Sequence, residues 1–119
     1  MQEGNFPELL TKIKKLSGRL GGELPEAMGG FARLHRAAVA DGALSTKTKE
    51  LMALAIGIAC RCDGCIAYHI HDALDAGASS QEVEEAIGVA ILMGGGPAMI
   101  YGCDALVALD EFNGDVRAS

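Results

Sequence analysis

The chain has no tryptophan and only five aromatic residues, two Tyr and three Phe, among 119. A core built on ring stacking is therefore excluded. The apolar half of the sequence is carried by Ala, Leu, Ile, Val and Met, most of which favour helix. A basic excess is missing as well: ten Lys and Arg against sixteen Asp and Glu give a net charge of −6. A nucleic-acid binder would show a basic face. The one gathering of cations, Lys12, Lys14, Lys15 and Arg19, reads as a solvated helix face. No apolar run has membrane length, because the longest, Leu51 to Cys60, is half of the roughly 20 residues a span requires. The opening residues lack the basic segment and apolar stretch of a secretory leader. A cytoplasmic protein is expected, with neither nucleic acid nor membrane as partner. Period-two alternation and internal repeats are also absent, which leaves little room for strands.

What remains is helix punctuation at regular intervals. Apolar residues at Leu9, Ile13, Leu16 and Leu20 predict a first helix from about Pro7 to Leu20, stopped by Gly21-Gly22. Pro25 opens a second, to about Asp41, with Met28, Phe31, Leu34 and Val39 inward. Ser45 caps a third that runs to about Cys60. After a break at Arg61 to Gly64, a fourth reaches about Ala76, with Gly77 at its end. Ser79 and Glu82 form a capping box for a fifth, which ends at Gly94-Gly95-Gly96. Pro97 sits in the first turn of a sixth that reaches about Phe112. From Asn113 the chain looks frayed. The expected fold class is a single all-α domain over residues 1–119, a compact bundle of about six helices with its core in about 25–112. Two stretches, Leu51 to Cys60 and Ile87 to Met93, are apolar all round. A domain this small has difficulty covering both, so a homo-oligomer is expected.

Chemistry concentrates in one stretch, CRCDGCIAYHIH, residues 60–71, which holds three of four cysteines and two of three histidines. Clustered cysteines in a reducing compartment are catalytic or metal-binding more often than structural. Cys62 and Cys65 form a Cys-x-x-Cys pair at the start of the fourth helix, where free N–H groups and the helix dipole stabilise a thiolate. His69 follows Cys65 by four residues and shares its face, so its imidazole can take the thiol proton. A zinc site drawn from Cys60, Cys62, Cys65, His69 and His71 is the competing reading, and a structurally inert cluster is the third. Cys60 and Cys103 read as small core residues. His35, beside Arg33 and Arg36, reads as polar surface. His71 is spaced to pair with Asp75. Gly94 to Gly96 lacks the Lys and hydroxyl residue of a phosphate loop and reads as a turn.

Glu50 precedes Cys62 by twelve residues, and Glu50-x11-Cys62-x2-Cys65-x3-His69 resembles the signature of the alkylhydroperoxidase D-like group within the carboxymuconolactone decarboxylase family. The flanking TKELMALAIGIACRCDGCIAYHIHDALDAGAS and EEAIGVAILMGGGPAMIYG resemble the same domain, and the similarity covers about Pro25 to Phe112. The resemblance implies a small all-α fold assembling as a homotrimer or homohexamer. It implies thiol-dependent peroxidase activity in which Glu50, Cys62, Cys65 and His69 are the catalytic set, with Glu50 and His69 as a proton relay. A hydroperoxide is reduced, a Cys62–Cys65 disulfide forms, and an external dithiol protein, such as a lipoyl carrier, reduces it. No bound cofactor or metal is expected. The decarboxylase branch generally lacks the paired cysteines, and the well-studied peroxidase is a longer chain of two repeats. The alternatives are a metal-binding or structural oligomer and a decarboxylase-like enzyme acting on a small ring acid. Counted from Cys62, Glu50 and His69 differ by five residues, roughly 7–8 Å along antiparallel helices, so the spacing leaves open whether they touch directly or through a bridging water or a helix bend.

Overall fold

A computed structural model describes residues 5–114, and their secondary structure is entirely helical: α1 (Phe6–Glu23), α2 (Pro25–Val39), α3 (Thr46–Ala59), α4 (Asp63–Asp75), α5 (Ser80–Gly94) and α6 (Gly96–Phe112). The local signals are realised at most boundaries. Ser45 Oγ accepts the Thr48 N–H, and Ser79 and Glu82 close a reciprocal capping box. Gly95, at φ 71°, makes the sharp turn between α5 and α6, a conformation that suits a residue without Cβ. The Asn113 N–H closes the last turn of α6 on Leu109, and the rest of the expected frayed end lies outside the described residues.

Gly21 and Gly22 do not stop α1. The helix runs through them to Glu23 and ends at Leu24, at φ −130° and ψ 66°. Two glycines cost a helix about 1–2 kcal/mol together, which a continuous helix absorbs. The proline at 25 does more, because its ring disfavours helical geometry at the residue before it.

The core lies where α3, α4, α5 and α6 meet, built on Leu54, Ile58, Ile66, Ile70, Val83 and Leu109, with Phe6 and Leu10 of α1 completing it. The start of α1 is tied to the end of α6 by the Phe6 N–H donating to Glu111 Oε1 at 2.8 Å. By contrast, α2 contributes no buried residue. Phe31 and Leu34, expected inward, are 65% and 63% exposed. The reason is position: α2 packs chiefly on α1 and touches α3 only thinly, so it stands off the core as a wall.

The two all-round apolar stretches are half covered. Met52 and Ile56 of α3 and Val89, Leu92 and Met93 of α5 are exposed, and Met52, Ile56, Val89 and Met93 line one apolar groove between these helices. Cys60 and Cys103, expected in the core, are both exposed. No helix among the described residues is long and apolar enough to cross a membrane.

Candidate active site

The site begins with how α3 stops. The Arg61 N–H bonds back to the Ile58 carbonyl and the Cys62 N–H to the Gly57 carbonyl, each at 3.0 Å. This closing pattern places the penultimate residue in the left-handed region. That residue is Arg61, at φ 59°, where a side chain costs roughly 1–2 kcal/mol. The turn delivers Cys62 as the N-cap of α4, and its Sγ accepts the Cys65 N–H at 3.2 Å. A free helix N–H thus points at the first cysteine sulfur, as the helix-start argument requires. Cys62 and Cys65 are joined as a disulfide, with Cα atoms 5.2 Å apart.

Cys65 is held from behind by a close helix crossing. A Cβ built on Gly57 would lie 2.8 Å from Cys65 Cβ, so only glycine lets α3 and α4 approach this far. The same approach brings Glu50 to His69. Nδ1–H of His69 donates to Glu50 Oε1 at 2.7 Å, and Glu50 is 2% exposed. Contact is direct, which answers the question the spacing left open. The offset counted from Cys62 overstates the separation because residues 60–62 belong to neither helix. Glu50 lies nine residues before the end of α3 and His69 six after the start of α4. The difference of three residues is about 4.5 Å of rise, within reach of a Glu and a His side chain. With Nδ1–H engaged by the carboxylate, the lone pair falls on Nε2, and that nitrogen can accept a proton.

Cys62, Cys65 and His69 share a cavity of about 750 Å³ whose other walls come from α1 and α2, including Ile13, Met28 and Phe31. Lys14 Nζ stands 5.7 Å from the centre of the Tyr68 ring, which also lines it. His35, read from sequence as polar surface, belongs to this cavity. It was missed because its neighbours Arg33 and Arg36 suggested solvent, and no local pattern shows α2 folding over the dithiol. His71 pairs with Asp72 at 2.9 Å rather than with Asp75, and meets Phe112 edge-on. Among the described residues, the group of three or more donors close enough to share a metal ion is His35, Glu50 and Asp72, with one atom from each within 4.8 Å of the others. No cysteine, nor His69 or His71, belongs to it.

Comparison with known proteins gives the family. Residues 25–108 fit the profile of the Carboxymuconolactone decarboxylase family. An uncharacterized protein of Cupriavidus necator is 38% identical over 104 residues, spanning 87% of this chain and 92% of its own. Uncharacterized protein 4 in the cox locus of Paracoccus denitrificans is 37% identical, over 96% of this chain and 99% of its own. A Legionella pneumophila protein of the family, solved in its apo form, superposes with a TM-score of 0.87 at 41% identity, covering 90% of this chain and 96% of that one. A Thermotoga maritima family protein, for which a part in the antioxidative response has been suggested, superposes with a TM-score of 0.76 at 31% identity, covering 94% and 98%. With the profile spanning most of its length and relatives at 37–38% identity covered nearly end to end, the chain belongs to the carboxymuconolactone decarboxylase family.

Proposed function

We propose that the protein is a thiol-dependent peroxidase that reduces hydroperoxides through Cys62 and Cys65. The observation that carries this reading is the buried Glu50 carboxylate held on His69 at 2.7 Å, in the helix that presents the cysteine pair to a cavity. A structural cysteine pair needs no such base. His69 takes the Cys65 proton at Nε2, and Glu50 stabilises the imidazolium that forms. The Cys65 thiolate attacks the distal peroxide oxygen, the O–O bond breaks, and the departing alkoxide gains a proton to become an alcohol. Cys65 is then a sulfenic acid. The Cys62 thiol displaces water from it and closes the disulfide. A partner dithiol, such as the lipoyl arm of a carrier protein, restores both thiols and is itself oxidised. The setting is a thiol-reducing compartment such as the cytoplasm. The exposed Met52, Ile56, Val89 and Met93 groove is covered by further copies of the chain in a trimer or hexamer.

The test is a free-thiol count on reduced protein before and after one equivalent of an organic hydroperoxide. Loss of two thiols per chain, with peptide mapping to Cys62–Cys65, is the expected result. An unchanged count would overturn the reading and favour a non-redox role.

A further inference from the structure

His35 has no part in the cycle above, yet α2 carries it into the same cavity as Cys62, Cys65 and His69. One of its ring nitrogens lies within 4.8 Å of carboxylate oxygens of both Glu50 and Asp72. A metal ion does not explain the group well, because both carboxylates already have imidazole partners: Glu50 binds His69 and Asp72 binds His71. We propose that His35 is the general acid of the peroxidase reaction, the group that protonates the departing alkoxide.

Geometry separates this task from that of His69. A thiolate displaces at the peroxide oxygen in line, so the leaving oxygen departs on the side away from the sulfur. The base must touch the sulfur, and Cys65 and His69 share α4, one turn apart. The acid must reach the leaving oxygen from another wall, and α2, which lines the cavity beside α4, carries His35 into it. Glu50 links the two imidazoles. The proton that His69 takes from Cys65 can return through Glu50 to His35, over a gap that one ordered water spans. The balance is then closed: Cys65–SH and ROOH give Cys65–SOH and ROH, with no proton drawn from solvent.

This inference rests on the peroxidase reading, and reagents with different leaving groups separate the two. Iodoacetamide alkylates a thiolate and expels iodide, which needs no proton. Peracetic acid oxidises a thiolate and expels acetate, which also leaves unprotonated. Cumene hydroperoxide expels an alkoxide, which needs one. Fully reduced parent, His35→Gln and His69→Gln proteins, each with the exposed Cys60 and Cys103 replaced by Ser, are mixed with each reagent in stopped flow, and thiol loss is followed. His35→Gln should slow cumene hydroperoxide by about 100-fold, the low end of what a placed proton donor contributes. Its rates with iodoacetamide and peracetic acid should stay close to the parent's. His69→Gln should be slow with all three. Free imidazole should partly restore the hydroperoxide rate of His35→Ala, a rescue that a merely structural role would not give. His35→Gln matching the parent on cumene hydroperoxide overturns the assignment, as does equal slowing on all three reagents. A parent that alkylates normally but spares the hydroperoxide removes the peroxidase reading, and this inference falls with it.

Discussion

Adding one methyl group at Gly57 tests whether the α3/α4 crossing sets the site. A Cβ there would stand 2.8 Å from Cys65 Cβ, and ordinary contact begins near 3.4 Å, so the helices must part by about 0.6 Å. The obstacle is another Cβ, not a flexible side-chain tip, and it cannot swing aside. Overpacking of this kind costs about 1–3 kcal/mol, partly offset by the roughly 0.5–1 kcal/mol that alanine gains over glycine within a helix. A net loss of about 1–2 kcal/mol should lower the melting temperature by several degrees. The functional effect should be larger. The same parting stretches the His69–Glu50 hydrogen bond from 2.7 Å to about 3.3 Å, beyond the usual N–H···O range. Losing a hydrogen bond to a charged group costs about 1.5–3 kcal/mol, and about 1.4 kcal/mol is tenfold in rate, so oxidation by limiting hydroperoxide should slow by about 10- to 100-fold. Gly88→Ala is the control: nothing lies within 4 Å of its added Cβ, and it should melt at or above the parent. A Gly57→Ala protein with parental melting temperature and parental rate would refute the claim that this crossing positions Cys65 and the relay.

Three further outcomes are expected. Cys62→Ser should consume one equivalent of peroxide and trap a sulfenic acid on Cys65, whereas Cys65→Ser should be nearly inert; the reverse pattern by mass spectrometry would make Cys62 the attacking thiol. Ile56→Glu places a charge in the exposed apolar groove between α3 and α5 and should convert a trimer or hexamer to smaller species by light scattering, with helicity kept; a parent that is already monomeric at micromolar concentration would sink the oligomer proposal. The Glu82 carboxyl is held below its ordinary 4.5 first by the Ser79 backbone N–H and then by Lys47, so its stabilisation is complete above about pH 4.5 and fades as pH falls through the lower folded value. Glu82→Gln should therefore flatten the acid limb of the melting-temperature profile below pH 4.5, and an unchanged limb would show that this cap does not govern it.

The helical frame was legible because its signals are local. Ser45, Ser79 with Glu82, Pro25 and Pro97 each act within one turn, and the structure begins helices at or beside each of them. The dithiol at a helix start was legible for the same reason. What was not legible depended on tertiary placement. Phe31 and Leu34 have a core-like spacing, but α2 has no core to face and walls a cavity instead. Cys60 and Cys103 follow or sit among apolar residues, yet their faces turn outward. His35 looked like solvent-facing surface beside two arginines, and only the fold sets it beside Glu50. Glu50 itself is the instructive case. Its partner could be named from the family pattern, but contact depended on where each helix stops, and a sequence fixes helix ends poorly.

The asymmetry between the two cysteines has a consequence for the second half of the proposed cycle. A helix N–H reaches Cys62 Sγ, donated by Cys65 at 3.2 Å, whereas His69 lies one turn beyond Cys65. In a thiol–disulfide exchange the sulfur that leaves most readily is the one whose negative charge is best stabilised. Cys62 is that sulfur, since the N-terminal N–H needs no proton transfer to act on it. In the proposed cycle an incoming dithiol would therefore bond to Cys65 and expel Cys62, just as the peroxide would meet Cys65 first in the oxidative half. Both halves then run through one sulfur, and the helix dipole and the imidazole cease to compete. The dipole serves the sulfur that departs and waits, and the base serves the sulfur that reacts. This division also explains why a helix N-cap would be a cysteine rather than the Ser, Thr, Asp or Asn that cap more strongly: the cap and the leaving group are the same atom.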